Sequence, residues 1–223
     1  MITTDIQLIK AHLEQSEVVG IPTETVYGLA ANIYDDQAIA KIFSTKGRPN
    51  TNPLIVHVKS MEQVRTLVAE FPPKAELLAK RFWPGAMTLI LPKSELISPA
   101  ITSNQSTVAI RMPKHSTTLE LLETLDFPLA APSANPYNRI SPTRAEHVEA
   151  YFPNIPILEG GACEAGVEST MLSFDGNEVA LLRHGAISIE EIELAYKKWF
   201  DKLWQDNTLS TVSNSKNKNF CLE

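Results

Sequence analysis

A short cationic segment lies where a helical pattern ends and an apolar strand pattern begins, and it limits the possible folds more than any other part of the chain. Gly47 frees the backbone there, whereas Pro49 fixes its own φ and disfavours the helical region at Arg48. In an extended segment residues i and i+2 share a face, so we expect Lys46 and Arg48 to point the same way. Two cations on one face suit the phosphates of a nucleotide, although a solvated loop with two incidental charges is an alternative interpretation.

Periodic apolar residues on both sides of this segment predict an α/β protein. Runs at helical spacing alternate with short apolar runs that are typical of buried strands. The predicted helices cover residues 6–13, 36–45, 61–67, 74–82, 117–125 and 142–151, with a last helix that starts near residue 188. The predicted strands cover residues 18–21, 54–58, 87–91, 107–113, 129–132, 155–158, 170–174 and 179–183. We therefore expect a twisted mixed or parallel sheet flanked by helices, with residues 94–106 forming an irregular, mobile loop.

Length and composition indicate an ordinary globular protein of the cytoplasm. The 223 residues suffice for a real core, and no apolar run reaches the roughly 20 residues that cross a membrane. The N-terminus lacks the basic and apolar regions of a signal peptide. Cys163 and Cys221 lack metal-ligand spacing, so neither a zinc site nor a disulfide framework is predicted. The net charge of −6 argues against wide non-specific binding of nucleic acid.

Polar and charged side chains near predicted strand ends form the candidate site. Thr25 follows the strand at residues 18–21, and ligands of open α/β sheets bind at strand ends, although β propensity alone also explains a threonine there. Arg111 lies near the end of another strand, where it serves either as an anion ligand or as a charge that protects a sheet edge. His57 points to the opposite face of its strand from Leu54. On the residues alone, it is a polar side chain that faces water.

Three motifs in a fixed order identify a family resemblance. Residues 22–29 (PTETVYGL), residues 43–58 with the cationic segment, and residues 132–135 (PSAN) resemble the YrdC/TsaC family of threonylcarbamoyl-AMP synthases. The resemblance runs from about Ile6 to Ile187, and several motifs in order are far more specific than any one alone. It implies a single YrdC-like α/β domain with a central basic cleft.

Two positions depart from the family pattern. Asn138 stands where glycine is usual, but Asn tolerates a positive φ, so we expect the turn to persist; His184 stands where proline is usual. Longer family members continue through a linker into a second domain that has no match here, so the chain is either a short form or a truncated one. We expect the domain to cover residues 4–204 and residues 205–223, which are rich in Asn, Ser and Lys, to form a disordered tail.

The resemblance implies a nucleotidyltransferase. In that reaction L-threonine and bicarbonate form an N-carboxylate, which attacks the α-phosphate of ATP and releases pyrophosphate. The product, threonylcarbamoyl-AMP, is handed to a tRNA threonylcarbamoyltransferase complex, which modifies an adenosine beside the anticodon. Direct binding of tRNA is expected to be weak or absent. We expect Mg²⁺ to arrive with ATP, because no all-protein metal cage is visible in the sequence.

The resemblance also assigns the site residues. Those expected around ATP are Lys46, Arg48, Asn52, Thr107, Ser133, Asn135, Ser141 and Arg183. Those expected around threonine are Thr25, His57, Arg111 and Ser169. Lys46 and Arg48 are also expected to be catalytic and to act on the nucleotide rather than on the fold, and no residue is expected to bind a metal ion. An arginine such as Arg111 suits a bidentate grip on the threonine carboxylate.

Two other functions are compatible with the residues. One is an RNA-binding module that uses the same fold and a concave basic surface, which the acidic net charge disfavours. The other is a paralogue that acts on a different carbamoyl or acyl substrate, because a fold does not determine its substrate. Threonine-dependent turnover separates the proposed enzyme from the first, and turnover with another amine would identify the second.

Overall fold

A computed structural model describes residues 1–175 and 178–205 of the chain, and ten strands in these residues form one sheet. The strands are β1 (Ile2–Thr3), β2 (Val19–Ile21), β3 (Gly28–Asn32), β4 (Ile55–His57), β5 (Met87–Pro92), β6 (Thr107–Arg111), β7 (Leu129–Ala130), β8 (Ile157–Leu158), β9 (Thr170–Asp175) and β10 (Glu178–Arg183). Their order across the sheet is β1-β8-β2-β3-β7-β4-β6-β5-β9-β10. The sheet is mixed, since β8 pairs in parallel with β1 and β2, β6 with β4, and β9 with β5, whereas the other neighbours are antiparallel.

The described residues contain eight helices, of which the first seven lie between strands and the last follows β10. They are α1 (Ile6–Glu14), α2 (Asp36–Lys46), α3 (Met61–Leu67), α4 (Pro73–Phe82), α5 (Pro99–Thr102), α6 (Ser116–Thr124), α7 (Ala145–Tyr151) and α8 (Ile189–Gln205). Aspartate carboxylates cap two of them: Asp5 accepts the first free N–H groups of α1, and Asp35 does the same for α2. The alternation of helices and strands around a mixed sheet confirms the predicted α/β fold.

Helices α1 and α6 cover one part of the sheet with a continuous apolar core. Its members come from both helices and from β2, β3, β7 and β8, and they are fully or almost fully buried: Ile9, Leu13, Val19, Ile21, Ala30, Leu121, Leu122, Leu125, Leu129, Ala131 and Leu158. Each large aliphatic side chain buried in this way contributes about 1.5–3 kcal/mol. This core holds the ends of β2 and β7, from which two of the three sequence motifs emerge.

Two predicted elements were wrong in part. Residues 94–106 are not irregular throughout, because α5 lies within them and Ile97 and Ile101 are buried. The predicted helix at residues 142–151 begins only at Ala145, because the carbonyl of Pro142 accepts the N–H of Tyr27 and is not part of a helical turn. In both cases a tertiary contact, which local periodicity does not reveal, decided the structure.

The chain divides into two compact units, Met1–Ser188 and Ile189–Glu223. The first contains the whole sheet. Helix α8 belongs to the second and confirms the predicted last helix. The predicted tail lies almost entirely outside the described residues, so the boundary near residue 204 stays a prediction. No helix in the described part of the chain has the length and apolar character needed to span a membrane.

Gly185 lies where β10 turns back against the start of β9, and it leaves no room for a side chain. A Cβ at this position would lie 2.3 Å from the Thr170 nitrogen and 2.4 Å from both the Glu168 oxygen and the Ser169 carbonyl carbon. These are backbone atoms that cannot rotate away, so Gly185→Ala should lower the free energy of unfolding by about 3 kcal/mol in urea denaturation.

Gly161→Ala is the matched control for Gly185→Ala. Gly161 has a φ of +79° but no atom within 4 Å of a Cβ, so alanine there should cost only the left-handed backbone strain of about 1 kcal/mol. Equal losses of stability in the two variants would show that the close approach at Gly185 is relieved without cost.

Candidate active site

The site is built where β4 and β6 run side by side. In this parallel pair His57 is the register partner of Arg111, so two of the four side chains of the threonine set begin next to each other. Thr107 stands at the opposite end of β6, four residues earlier, which separates it from Arg111 by about 13 Å along the strand. An isolated bridge between Gly28 and Ser133 brings the segment after β7 to the start of β3. The strands thus bring two of the three motifs together directly.

A buried ion pair between Arg111 and Glu24 holds the centre of the site. Arg111 Nη2 lies 2.7 Å from Glu24 Oε1, and the two side chains are only 4% and 8% exposed. Arg111 Nη1 donates to Thr25 Oγ1 at 2.9 Å, and its Nε donates to the carbonyl of Gly85 at 3.2 Å. The second Glu24 oxygen accepts the N–H of Lys114. The sequence alone does not reveal that Glu24 pairs with Arg111.

His57 is buried and neutral. Burial lowers its pKa to about 3, and the nearby charge of Arg111 acts in the same direction. Its Nδ1 lies 3.3 Å from the carbonyl of Ile55, which can only accept a hydrogen bond. The Nδ1 therefore carries the proton, and Nε2 is an acceptor. The strand pattern alone suggested that His57 faces water, but the residue is buried. Its Nε2 can accept a hydrogen bond from an N–H or O–H group of a ligand.

Lys46 lies at the C-terminal end of α2 and does not follow the predicted extended geometry. The helix continues through Lys46, and Gly47 ends it in the left-handed conformation with a φ of 60°. The buried ammonium donates to the carbonyls of Ser133 and Asn135, the latter at 2.6 Å. The pKa of Lys46 is lowered to about 8, mainly by burial and to a smaller extent by repulsion from the charge of Arg48. Through its two hydrogen bonds Lys46 ties α2 to the segment after β7, and its expected action on the nucleotide stays a prediction.

Arg48 closes the loop that follows α2. Its Nε donates to the carbonyl of Asn52 at 3.1 Å, and Nη2 donates to the carbonyl of Pro53 at 2.9 Å. The Asn52 amide in turn donates to the Tyr137 hydroxyl at 2.8 Å, and the Tyr137 N–H donates to the carbonyl of Lys46. These bonds join the cationic segment to the loop after Asn135. The aromatic side chain of Tyr137 is a site residue that the sequence analysis did not identify.

Asn135 and Asn138 shape the loop that receives the Lys46 ammonium. The Asn135 amide donates to the carbonyls of Pro136 and Arg139, at 2.9 and 2.8 Å. Its Oδ1 is buried and has no hydrogen-bond partner among the described residues. Asn138 has a φ of 63°, which confirms the prediction that asparagine preserves the glycine turn.

Arg183 and Ser169 connect the predicted nucleotide set to the predicted threonine set. Arg183 Nε donates to the Ser169 carbonyl at 3.0 Å, and Nη2 donates to the Ser169 hydroxyl at 2.9 Å. The same hydroxyl lies 2.7 Å from Thr88 Oγ1, in a fully buried position. Ser141, also of the nucleotide set, donates to Glu168 at 2.9 Å. Thr88 and Glu168 are further residues that the sequence analysis did not assign to the site.

The glycine-rich segment at residues 160–166 covers the PTETVYGL motif. Its N–H groups at Ala165 and Gly166 donate to the carbonyls of Glu24 and Thr25, at 2.9 and 3.1 Å. The hydroxyl of Tyr27 donates to the carbonyl of Gly161 at 2.8 Å, and burial raises the pKa of this phenol. From the sequence this segment was interpreted only as a loop, since it lacks the known phosphate-binding fingerprints. These contacts place the segment against Thr25, one of the residues predicted to bind threonine.

The predicted central basic cleft stays a prediction. A cavity with a volume of about 610 Å³ lies between α2 and α5. Of the predicted site residues, only Arg48 contributes to its lining. Among the residues that the structure describes, no group of three or more His, Cys, Asp or Glu side chains could hold a metal ion.

Known proteins match both the sequence and the fold. A family model described as "Sua5_yciO_yrdC: Telomere recombination" matches residues 11–185. Proteins named threonylcarbamoyl-AMP synthase from Pyrococcus abyssi and Bacillus subtilis are each 48% identical, over 84% and 86% of this chain and 56% and 57% of their own lengths. The crystal structure of P. abyssi Sua5 complexed with L-threonine has a TM-score of 0.83 at 47% identity, over 85% of this chain and 56% of that one. The chain spans just over half the length of these relatives.

The neutral state of His57 predicts a loss of stability in mild acid. The folded protein holds the pKa of this imidazole at about 3, whereas the unfolded chain protonates it below about 6.5. As the pH falls from 6.5 towards 3, the unfolded state gains a proton that the folded state does not, which lowers the free energy of unfolding by about 1.4 kcal/mol per pH unit. Urea denaturation at pH 7 and pH 5 should therefore show a contribution of about 2 kcal/mol from His57.

Two histidine variants isolate this contribution from that of the carboxylates. The stability of His57→Gln should fall less between pH 7 and pH 5 than that of the wild type. His184→Gln replaces an exposed histidine and should keep the wild-type pH dependence. Parallel curves for the wild type and His57→Gln would contradict the neutral, buried state.

The Arg111–Glu24 pair predicts strong coupling between the two residues. Arg111→Met leaves the Glu24 carboxylate buried without its cation, which should cost about 3–5 kcal/mol of stability. The double variant with Glu24→Gln removes the stranded charge, so it should be more stable than Arg111→Met alone. Denaturation of the wild type, both single variants and the double variant measures the coupling energy, and additive losses would contradict a direct pair.

Proposed function

The chain belongs to the Sua5/YciO/YrdC family, and on that basis we propose that it forms L-threonylcarbamoyl-AMP and pyrophosphate from L-threonine, bicarbonate and ATP. The observation that carries the proposal is the pair of hydrogen bonds from Arg183 to Ser169, which joins the two residue sets that the two substrates would occupy. The names of the curated relatives and the L-threonine complex of P. abyssi Sua5 support the same activity.

Threonine would bind between Arg111 and His57. A guanidinium has five N–H donors, and the contacts with Glu24, Thr25 and Gly85 engage three of its nitrogens without using every donor. The remaining donors suit the threonine carboxylate. The acceptor Nε2 of His57 suits the amine or hydroxyl group of the same substrate.

The nucleotide would bind against Lys46, Arg48 and Arg183. Lys46 has three N–H donors and Arg48 has five. Each makes the two hydrogen bonds described above, so each keeps N–H groups that can bind a ligand. Cations held in fixed positions stabilise the charge that develops on phosphate oxygens during transfer. The buried Oδ1 of Asn135 is an acceptor that suits a hydroxyl or amino group of the nucleotide.

The chemistry requires positioning more than a nucleophilic side chain. The threonine ammonium and bicarbonate give the N-carboxylate with loss of one water and one proton. A carboxylate oxygen of this adduct then bonds to the α-phosphorus of ATP as the bond to the pyrophosphate oxygen breaks. Holding the adduct and the triphosphate in line is the protein's main contribution. Both substrates are anionic at the point of reaction, so four nearby arginine and lysine side chains are a suitable environment.

Magnesium would enter the site with ATP and neutralise part of the phosphate charge. The donor set fits this role rather than that of a resident metal, since the described residues offer no cluster of ligands, and Mg²⁺ commonly binds through one or two carboxylates plus substrate phosphates. The product would pass to a tRNA threonylcarbamoyltransferase complex for modification beside the anticodon. A cytoplasmic location follows from these substrates, with little direct binding of tRNA by this acidic chain.

Pyrophosphate release tests the proposal because the nucleophile is an adduct of two compounds. Release from ATP should require threonine and bicarbonate together and stay near background with either alone in degassed buffer. Serine should support about 10–200-fold less turnover, as expected for the loss of one methyl contact.

Each alternative gives a different result in the same assay. An enzyme that activates free threonine would ignore bicarbonate, and a paralogue would prefer another amine. An RNA-binding module would release no pyrophosphate under any of these conditions. Release that is independent of bicarbonate would overturn the proposed reaction.

A further inference from the structure

Glu168 is a carboxylate placed among residues of the nucleotide set. Its Oε1 accepts the hydroxyl of Ser141 at 2.9 Å, and its Oε2 lies 3.6 Å from Arg183 Nη1. The side chain is 35% exposed, so it can be reached by a ligand. Neither the sequence motifs nor the substrates of the proposed reaction give this carboxylate a role.

The charge of Glu168 acts on all three cations of the nucleotide set. The three cations are Lys46, Arg48 and Arg183. Burial is the main cause that lowers the pKa of each, and the nearby Glu168 carboxylate raises the pKa in every case. One carboxylate therefore lies within electrostatic reach of the place where a triphosphate would bind.

Positioning of Arg183 does not explain the carboxylate. Arg183 already makes two hydrogen bonds to Ser169, at 3.0 and 2.9 Å, which fix its guanidinium. The contact with Glu168 is longer, at 3.6 Å, and both partners are about one-third exposed. Ion pairs of this kind contribute little to stability. A carboxylate here would also repel the phosphates of an incoming nucleotide.

A divalent cation removes this conflict. Carboxylate and hydroxyl oxygens are the ligand types that Mg²⁺ accepts, and they are the groups that Glu168 and Ser141 present. With the ion between carboxylate and phosphates, repulsion becomes attraction through a shared cation.

We propose that Glu168 makes the nucleotide site selective for magnesium-complexed ATP over metal-free ATP. The inference rests on the proposed function, because it takes ATP as the ligand. The carboxylate would contribute the protein's own charged oxygen to the ion that ATP brings and would repel the more negative metal-free triphosphate. Glu168 is thus a residue that determines specificity.

Calorimetric titration with ATP tests the assignment without relying on turnover. The wild type, Glu168→Gln and Glu168→Asp are each titrated with ATP, once with excess Mg²⁺ and once with a chelator. The ratio of the two dissociation constants is the quantity compared. In Glu168→Gln this preference for the magnesium complex should fall by about tenfold, because metal-free ATP is no longer repelled and the complex loses a ligand. Glu168→Asp retains the charge and should retain the preference.

Glu164→Gln is the matched control, since it removes one charge from an exposed glutamate four residues before Glu168. It should leave the ratio unchanged, and a fall as large as in Glu168→Gln would show a non-specific charge effect and overturn the assignment. An unchanged ratio in Glu168→Gln would overturn the inference but leave the proposed function intact. If Glu168→Gln does not fold, loss of the preference in Glu168→Asp would overturn it as well. Failure of the wild type to bind ATP under both conditions would overturn both.

Discussion

The buried ion pair between Glu24 and Arg111 is the interaction on which the site depends. Two opposite charges removed from water are stable only when they are paired, and hydrogen bonds with Thr25, Gly85 and Lys114 fix the positions of the two side chains. Through it the segment after β2, the strand β6 and the turn at Gly85 are held in one arrangement. The residues predicted to bind threonine therefore lie in the interior of the protein rather than on its surface.

Local patterns predicted the fold well because hydrophobic period and capping chemistry act over short distances. Helices α1 to α4 and the strands β2, β4 and β5 follow from apolar spacing, whereas β1 and β3 were not predicted. Asp5 caps α1. The turn at Asn138 followed from the tolerance of asparagine for positive φ. The failures came from contacts between residues that are far apart in the sequence. The helix expected from Pro142 starts later because the Pro142 carbonyl serves a residue more than a hundred positions away.

Motif resemblance identified most of the candidate site residues, but it could not identify their hydrogen-bond and ion-pair partners. Nothing near Lys46 in the sequence reveals that its ammonium binds two carbonyls almost ninety residues further along. The same holds for Glu168, whose partners Ser141 and Arg183 flank it at a distance in sequence. Such pairings are created by the order of strands in the sheet. A single sequence contains the side chains but not the register that brings them together.

The order of strands also has a consequence for synthesis. The first strand, Ile2–Thr3, pairs with Ile157–Leu158, so it must wait for more than 150 further residues before that neighbour exists. At about 5–20 residues per second, translation alone takes roughly 8–30 s to supply it. Contacts of such high sequence separation also slow folding, because a long loop must close before they form. The nascent chain therefore emerges with β2 still lacking its parallel neighbour, and a complete binding site can exist only after nearly the whole sheet has been made.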